Sequence, residues 1–182
     1  MNPKNIVRIS RKISLVLRHK PKAIGLQLDP HGWAQVDDLL RLMTASGTPL
    51  SRPDLEQIVA ENNKQRFRFS EDGTKIRANQ GHSIDIDLQL KPQTPPPVLY
   101  HGTASTSVAS IMSTGLHSRK RQHVHLSHDT ETATMVGKRH GKPVILRVDA
   151  AAMASDGYEF FCSENGVWLT HEVPVKYLRL DK

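Results

Sequence analysis

Four prolines within six residues, at positions 92, 95, 96 and 97, constrain the fold of this 182-residue chain more than any other feature. Proline fixes its own φ angle and lacks a backbone N–H, so such a run cannot continue a helix or a central strand. It favours a stiff, extended spacer. We therefore predict an N-terminal domain over residues 1–91, a linker over residues 92–97 and a C-terminal domain over residues 98–182.

The N-terminal part predicts three helices followed by a β-hairpin. Apolar residues recur at helical spacing over residues 2–20, over about 36–45 and from residue 51 onward. The period then changes to the alternation of two strands, over residues 66–77, with a Gly-containing turn between them. Three helices and a hairpin are typical of a winged helix, a common nucleic-acid-binding fold.

The C-terminal part predicts short strands with few helices, an α+β domain with a mainly antiparallel sheet. Helices over about residues 105–113 and 130–139 follow the first and second strands. The five predicted strands are Val98–His101, His123–Leu126, Val144–Val148, Val167–Leu169 and Tyr177–Leu180.

The charge of the chain favours a polyanionic partner. There are 25 Lys and Arg against 18 Asp and Glu, a net charge of +7. Most of the excess lies in residues 1–91, with 15 basic and 10 acidic side chains. Basic surfaces attract polyanions by field steering and counterion release. A basic soluble domain without such a partner is the alternative interpretation.

Other features of the composition exclude several classes of protein. No apolar run approaches the roughly 18 residues of a membrane-spanning helix, and the N-terminus lacks the apolar core of a secretory signal. Cys162 is the single cysteine, which excludes an intramolecular disulfide and a Cys-rich zinc site. We expect a cytoplasmic protein, and a monomer because no long exposed apolar stripe is evident.

Two histidine motifs are the strongest candidates for a ligand site. His101-Gly102-Thr103 and the segment from His123 to Ser127 each lie at the end of a short apolar strand, beside a hydroxyl residue. The basic residues 119–121 nearby favour an anionic ligand. His123 and His125 share a strand face and could bind a metal with a third ligand, but no HExxH motif is present, and we predict no metal. Dinucleotide-fold, P-loop and serine-hydrolase motifs are also missing.

Arginines elsewhere in the chain could bind phosphate. Arg18 and His19 end the first helix, where cations also complement the helix dipole. Arg66 and Arg68 are two apart on a predicted strand and therefore point the same way. The planar guanidinium matches two phosphate oxygens, although a single surface arginine is more often simply solvated. The Asn165-Gly166 turn could let a ligand approach the backbone closely.

Six short motifs follow one another along nearly the whole chain. They are Leu17-Arg18-His19, Lys64-Gln65-Arg66-Phe67, Gln80-Gly81-His82-Ser83, His101-Gly102-Thr103, His123-Val124-His125-Leu126-Ser127 and Asn165-Gly166-Val167-Trp168-Leu169. In this order they resemble the RNA 2′-phosphotransferases, NAD-dependent enzymes that remove the 2′-phosphate left at a tRNA splice junction.

The resemblance implies an N-terminal winged-helix lobe and a C-terminal lobe like that of the ADP-ribosyltransferases. It implies that Arg18, His19, Arg66 and Arg121 act on the 2′-phosphate. The His-Tyr-Glu signature of related protein ADP-ribosyltransferases falls on His101, His125 and Val167, so the catalytic Glu is missing. The NAD-binding residues that it implies are His101, Gly102, Thr103, His125, Leu126, Ser127, Asn165 and Gly166.

The resemblance also implies a two-step reaction in the cleft between the lobes. The RNA 2′-phosphate displaces nicotinamide from NAD, giving an ADP-ribosylated 2′-phospho-RNA intermediate. Transesterification then releases RNA with a free 2′-hydroxyl and ADP-ribose 1″,2″-cyclic phosphate. Two alternatives stay open: an ADP-ribosyltransferase acting on nucleic-acid ends or protein, and a non-enzymatic winged-helix regulator that binds nucleic acid. His19 could act as a hydrogen-bond donor or as a general acid.

Overall fold

The computed structural model describes residues 1–182, and the chain divides into two compact units, Met1–Gln89 and Leu90–Lys182. Each unit has its own cluster of buried apolar side chains. None of the helices is long and apolar enough to cross a membrane.

The N-terminal unit contains three helices and a small antiparallel sheet. The strands are arranged in the order β1-β3-β2. The central strand β3 pairs with β2 to form the hairpin, and on its other side it pairs with β1, a short strand that precedes the second helix. Its elements in chain order are α1 (Pro3–Arg18), a 3-10 turn (Pro21–Ile24), β1 (Ala34–Gln35), α2 (Val36–Ala45), α3 (Arg52–Glu61), β2 (Phe67–Phe69) and β3 (Lys75–Ala78).

Local sequence signals explain where these helices begin. The Asn2 side chain accepts a hydrogen bond from the Asn5 backbone, and proline occupies the first position of α1. Ser51 and Asp54 form a reciprocal capping box at the start of α3. Helix α1 buries one apolar face, including Ile13 and Leu17, in the core of the unit. Its polar face is therefore available for other contacts.

The C-terminal unit is a mixture of short helices and three small antiparallel sheets. Their strand orders are β11-β7-β4, β6-β9-β8 and β10-β5. The elements are β4 (Val98–Ala104), a 3-10 turn (Ser105–Ser107), α4 (Val108–Thr114), β5 (Leu116–His117), β6 (Val124–Leu126), α5 (Thr130–Lys138), β7 (Pro143–Asp149), α6 (Ala150–Ser155), β8 (Phe161–Cys162), β9 (Trp168–Thr170), β10 (Glu172–Val173), a 3-10 turn (Val175–Tyr177) and β11 (Leu178–Leu180).

Strand β4 is the element that connects the ligand-site motifs. It pairs along its whole length with β7, from Val98 opposite Asp149 to Ala104 opposite Pro143. On the other side it makes a single bridge, in which Tyr100 and Ser127 exchange two backbone hydrogen bonds of 2.8 Å. This bridge places the end of β6 beside the middle of β4.

The structure confirms the α+β class, the three N-terminal helices, the hairpin and the antiparallel pairing. Some boundaries differ: the helix predicted over 105–113 opens with a 3-10 turn, and Tyr177 lies in a 3-10 turn instead of a strand. The single predicted sheet of the C-terminal part is three sheets. Helix α6 was not predicted. The two-residue strands β1, β5, β8 and β10 were not predicted either, because two residues carry no periodicity.

Candidate functional site

A groove runs along α1 in the N-terminal unit, and we call it the α1 groove. It has a volume of about 400 Å³ and brings together two of the predicted phosphate-binding residues, Arg18 and Arg66. Ser10, Arg11 and Ser14 line it from the same helix. Opposite them lie residues 61–63, at the end of α3 and after it.

The Arg18 guanidinium packs against the backbone of Gly81. A Cβ at this position would lie 3.4 Å from Arg18 Cζ, and Gly81 has a φ of +89°, which disfavours any side chain. Glycine therefore lets the polypeptide pass close to the guanidinium. In the sequence, Gly81 is marked only by its place in the Gln80–Ser83 motif.

Ser83 holds the end of α1 through two hydrogen bonds. Its backbone N–H donates to the Arg18 carbonyl at 3.0 Å, and its hydroxyl lies 2.8 Å from His19 Nδ1. These contacts fix the direction of the His19 ring, because one nitrogen is held and only Nε2 can face a ligand. The loop carrying Gly81 and Ser83 thus orients both predicted residues of α1.

Arg66 precedes β2 in an unusual stretch of backbone. Gln65 has a φ of +42°, a conformation that non-glycine residues rarely adopt. Asn79 holds this conformation, since its side-chain amide donates to the Gln65 carbonyl and its backbone N–H donates to the Arg66 carbonyl. Asn79 is itself buried. The hairpin therefore positions Arg66 through a residue 13 positions further along the chain.

Arg68 makes a different contact from Arg66. Its guanidinium lies 5.2 Å from the centre of the Trp33 ring, and that of Arg77 lies 4.5 Å from the same ring. Cation–π contacts of this kind stabilise a fold by about 0.5–2 kcal/mol. Arg68 does not line the α1 groove.

His82 is a buried titratable side chain behind these residues. It is 1% exposed, and neither ring nitrogen has a hydrogen-bond partner within the protein. Burial, and then the positive charges of Arg18 and Arg77, lower the pKa of His82 to about 3. The imidazole is therefore neutral at pH 7 and adds no charge beside Arg18.

We expect the buried His82 to make the protein less stable in acid. Its folded-state pKa lies below the unfolded value, so between about pH 6.5 and pH 3 only the unfolded chain binds a proton at this side chain. This histidine should cost about 1.4 kcal/mol of stability per pH unit between about pH 6 and pH 3. The measurement is urea unfolding at several pH values for the wild type and His82→Gln.

The His82→Gln protein should show a smaller loss of stability on acidification than the wild type. His140→Gln, which removes an exposed histidine, is the control and should follow the wild-type slope. Identical slopes for the wild type and His82→Gln would contradict the buried neutral histidine.

A second groove, in the C-terminal unit, contains the two histidine motifs, and we call it the histidine groove. It has a volume of about 690 Å³. His101 and Thr103 line it from β4, His123 and His125 from β6, and the basic residues 119–121 from the loop before β6. Among its lining residues there is no Asp or Glu. The groove therefore suits a polar, anionic ligand.

The tautomer of His101 follows from its hydrogen bond. Nδ1 lies 3.0 Å from the His125 carbonyl oxygen, which can only accept, so Nδ1 carries the proton. Burial lowers the pKa of His101, which keeps the ring neutral at pH 7. Nε2 is then an acceptor for a ligand hydroxyl.

Arg121 and His125 form the basic corner of the histidine groove. Arg121 Nη1 donates to His125 Nδ1 at 3.1 Å, so the proton of the neutral His125 ring resides on Nε2. Partial burial lowers the pKa of Arg121, which nevertheless stays charged at neutral pH. The structure thus places Arg121 with the histidine motifs of its own unit.

Gly102 has a structural reason to be glycine. A Cβ there would lie 1.7 Å from the Ala133 carbonyl oxygen and 3.0 Å from the Gly137 backbone nitrogen, both in α5. Gly137 in turn leaves room for the Thr103 backbone. The two glycines let α5 pack directly on β4. The family motif implied cofactor binding for Gly102 and did not reveal this helix–strand contact.

The remaining predicted cofactor residues lie outside the lining of the histidine groove. Leu126 is 1% exposed and belongs to the core, so its side chain supports β6 from behind. Ser127 contributes its backbone to the bridge with Tyr100. Asn165 and Gly166 form the turn between β8 and β9, with open space around Gly166.

Several other lining residues of the histidine groove were not predicted from the sequence. Val136 and His140 reach the groove from α5 and from the turn after it, and Ser107 and Ser110 from the segment after β4. His140 lowers the pKa of His101 slightly, after burial. In the sequence, the serine hydroxyls that follow β4 were the available sign that this segment could line a polar groove.

The structure brings no group of three or more His, Cys, Asp or Glu side chains together in a metal-binding arrangement. His123, considered above as a metal ligand, packs instead against two rings. Its ring centre lies 5.6 Å from that of Phe161 and 5.2 Å from that of His171.

Comparison with known proteins agrees with the family resemblance of the sequence. Residues 4–172 match the family model described as "RNA 2'-phosphotransferase, Tpt1 / KptA family". A protein of Trichormus variabilis, named "Probable RNA 2'-phosphotransferase", is 56% identical over 174 residues, which is 96% of each chain. Relatives with the same name from Nostoc punctiforme and Herpetosiphon aurantiacus are 52% and 48% identical, over 98% and 100% of this chain and 99% and 100% of theirs. This chain belongs to the Tpt1/KptA family of RNA 2′-phosphotransferases.

Proposed function

We propose that this protein removes an internal 2′-phosphate from RNA and transfers it to NAD. The products are nicotinamide, RNA with a free 2′-hydroxyl and ADP-ribose 1″,2″-cyclic phosphate. The observation that carries the proposal is that this family member has two grooves, one in each unit, whose side chains suit anionic ligands. One unit presents Arg18 and Arg66 in a groove, and the other presents histidines, hydroxyls and cations in a second groove.

The N-terminal unit fits the role of a winged-helix RNA-binding lobe, and we propose this role for residues 1–91. Its order of elements is helix, strand, helix, helix and hairpin, with a three-stranded antiparallel sheet. Its charge excess fits an RNA partner, because phosphate contacts supply most non-specific affinity for nucleic acids.

The side chains of the histidine groove fit NAD, so we propose that residues 98–182 form an ADP-ribosyltransferase-like lobe. The neutral His101 offers an Nε2 acceptor to a ribose hydroxyl, and Thr103 lies two residues along the same strand face. The basic residues 119–121 suit a pyrophosphate. For Ser127, Asn165 and Gly166 we propose contact with NAD from the family motifs alone.

The groove needs no carboxylate base for this reaction. A phosphate monoester carries about −1.5 to −2 charges at neutral pH and is already an anionic nucleophile. The histidine groove is lined by no Asp or Glu, and valine occupies position 167, where the related protein-modifying enzymes carry a Glu. The chemistry therefore depends on holding the phosphate and offsetting its charge.

We propose that Arg18, Arg66 and Arg121 bind the 2′-phosphate. Three guanidinium groups offset the charge that develops on the phosphate oxygens. His19, with Nδ1 held by Ser83, presents Nε2 to the phosphate or to the departing RNA oxygen. As a hydrogen-bond donor it would act throughout, and as a general acid only when the RNA leaves.

The test is to incubate the protein with NAD and an RNA that carries one internal 2′-phosphate. We expect loss of the 2′-phosphate and stoichiometric release of nicotinamide and the cyclic phospho-ADP-ribose. A stable ADP-ribosyl adduct on RNA or protein would indicate an ADP-ribosyltransferase instead. No reaction, with RNA binding intact, would indicate a nucleic-acid-binding regulator. Omitting NAD is the control.

A further inference from the structure

The α1 groove extends well beyond the two arginines proposed to bind the 2′-phosphate. Ser10, Ser14 and Arg18 are spaced four residues apart, so they follow one face of α1. At about 1.5 Å per residue this face is about 12 Å long between Ser10 and Arg18. A phosphate held at Arg18 and Arg66 would occupy one end only.

Beside the apolar Ile6, Val7 and Ile58, the rest of the groove carries groups that bind nucleic-acid backbones. Arg11 provides a charged fork, Ser14 a hydroxyl, and Asn63 an amide on the opposite wall. Glu61 is the one acidic residue among its lining side chains. The small serine side chains leave room for a ligand, and Arg11 gives this end of the α1 groove a positive charge. Such a set of donors suits phosphate and sugar oxygens.

An internal 2′-phosphate is attached to a nucleotide that continues into a neighbour through a phosphodiester. The RNA chain must therefore leave the phosphate site along the protein surface. A groove of about 400 Å³ is in the size range of small-molecule sites, so it admits a nucleotide but not a double helix.

On the basis of the proposed function, we infer that the α1 groove binds single-stranded RNA next to the 2′-phosphorylated nucleotide, with Arg11 as the principal contact to a phosphodiester beyond the first flanking one, which a dinucleotide lacks. The groove thus extends recognition from one phosphate to a short stretch of single strand. The protein should prefer an RNA with flanking nucleotides over a minimal dinucleotide.

The experiment compares Arg11→Ala with Arg8→Ala on RNA substrates of two lengths. Arg8 is an exposed arginine on the same helix that does not line the groove, which makes it a matched control. The substrates are a 2′-phosphorylated dinucleotide and hexanucleotides extended on the 5′ or on the 3′ side. KM and kcat are measured at several salt concentrations.

We expect Arg11→Ala to raise KM about 3- to 5-fold for one of the hexanucleotides, as for an exposed ion pair, with kcat unchanged. The salt slope of log KM for that RNA should fall by about 0.7, the value for one phosphate contact on a single strand. The dinucleotide should not respond, and Arg8→Ala should match the wild type. Equal effects of Arg11→Ala and Arg8→Ala, or an equal effect on dinucleotide and hexanucleotides, would overturn the inference.

Binding of a hexanucleotide without a 2′-phosphate separates this inference from the proposed function. If the wild type showed no NAD-dependent turnover, the proposed function would fail. The affinity ratio between Arg11→Ala and Arg8→Ala on the unphosphorylated RNA would still test the groove. Ser14→Trp, which fills the groove between Ser10 and Arg18, should weaken binding in the same assay.

Discussion

Replacing Arg66 or Arg121 by alanine should lower kcat for 2′-phosphate removal by about 10²–10³-fold, the usual cost of losing one preorganised donor to a developing negative charge. Neither side chain belongs to a hydrophobic core, so both variants should remain folded. Arg66 lines the α1 groove and Arg121 the histidine groove, so the two variants test one unit each. Steady-state rates at saturating NAD and RNA give kcat, and single-turnover rates with excess enzyme isolate the steps before product release.

Arg41→Ala is the control for a general loss of positive charge. Arg41 lies on α2, its side chain is 68% exposed, and its pair with Asp38 is a surface ion pair of small energetic value. Its activity and thermal unfolding should match the wild type. Arg66→Lys keeps the charge but not the planar fork and should recover only part of the rate. Near wild-type turnover in purified Arg66→Ala or Arg121→Ala would reject the assignment of that residue.

Gly102→Ala should destabilise the protein by about 3 kcal/mol or more, because overpacking against a backbone group cannot be relieved by turning a side chain. The new Cβ would meet the Ala133 carbonyl at 1.7 Å, and α5 would have to move away from β4. Urea unfolding measures the change in free energy. Failure to accumulate as a folded protein is the extreme form of the same result.

Gly157→Ala is the matched control for a glycine replacement. No atom lies within 4 Å of the added Cβ, and the cost comes only from its φ of +96°, about 1–3 kcal/mol. A Gly102→Ala protein with wild-type stability and weakened NAD binding would contradict the packing role. It would support the cofactor-contact role that the sequence motif suggests.

Local patterns were sufficient for much of the N-terminal unit. The Asn2-Pro3 start of α1 and the Ser51 cap of α3 are short-range hydrogen-bonding signals, and the helix over Val36–Ala45 matches its prediction. The C-terminal unit was harder, since most of its strands have two or three residues and depend on partners far along the chain. A short strand is stabilised by its neighbours, so its own sequence has no recognisable strand pattern.

The candidate site likewise has features that are visible in the sequence and features that depend on tertiary contacts. The motifs around Arg18, Arg66, His101 and Arg121 were visible in the sequence, because each is a short run of residue types suited to binding phosphate or a polar ligand. The sequence did not show that Gly81 admits the Arg18 guanidinium or that Asn79 fixes the backbone before Arg66.

The sequence by itself determined the helices of the N-terminal unit, the family and the residue types suited to an anionic ligand. Only the tertiary structure decided how those residues are held. The tautomer of His101 depends on a carbonyl 24 residues away, and the glycine at 102 depends on a helix that begins at Thr130. Both arise from contacts between distant segments, which exist only after the chain has folded. For this reason a domain boundary at the proline run could be predicted from local residues alone, whereas the arrangement of the site depends on the packing of each unit.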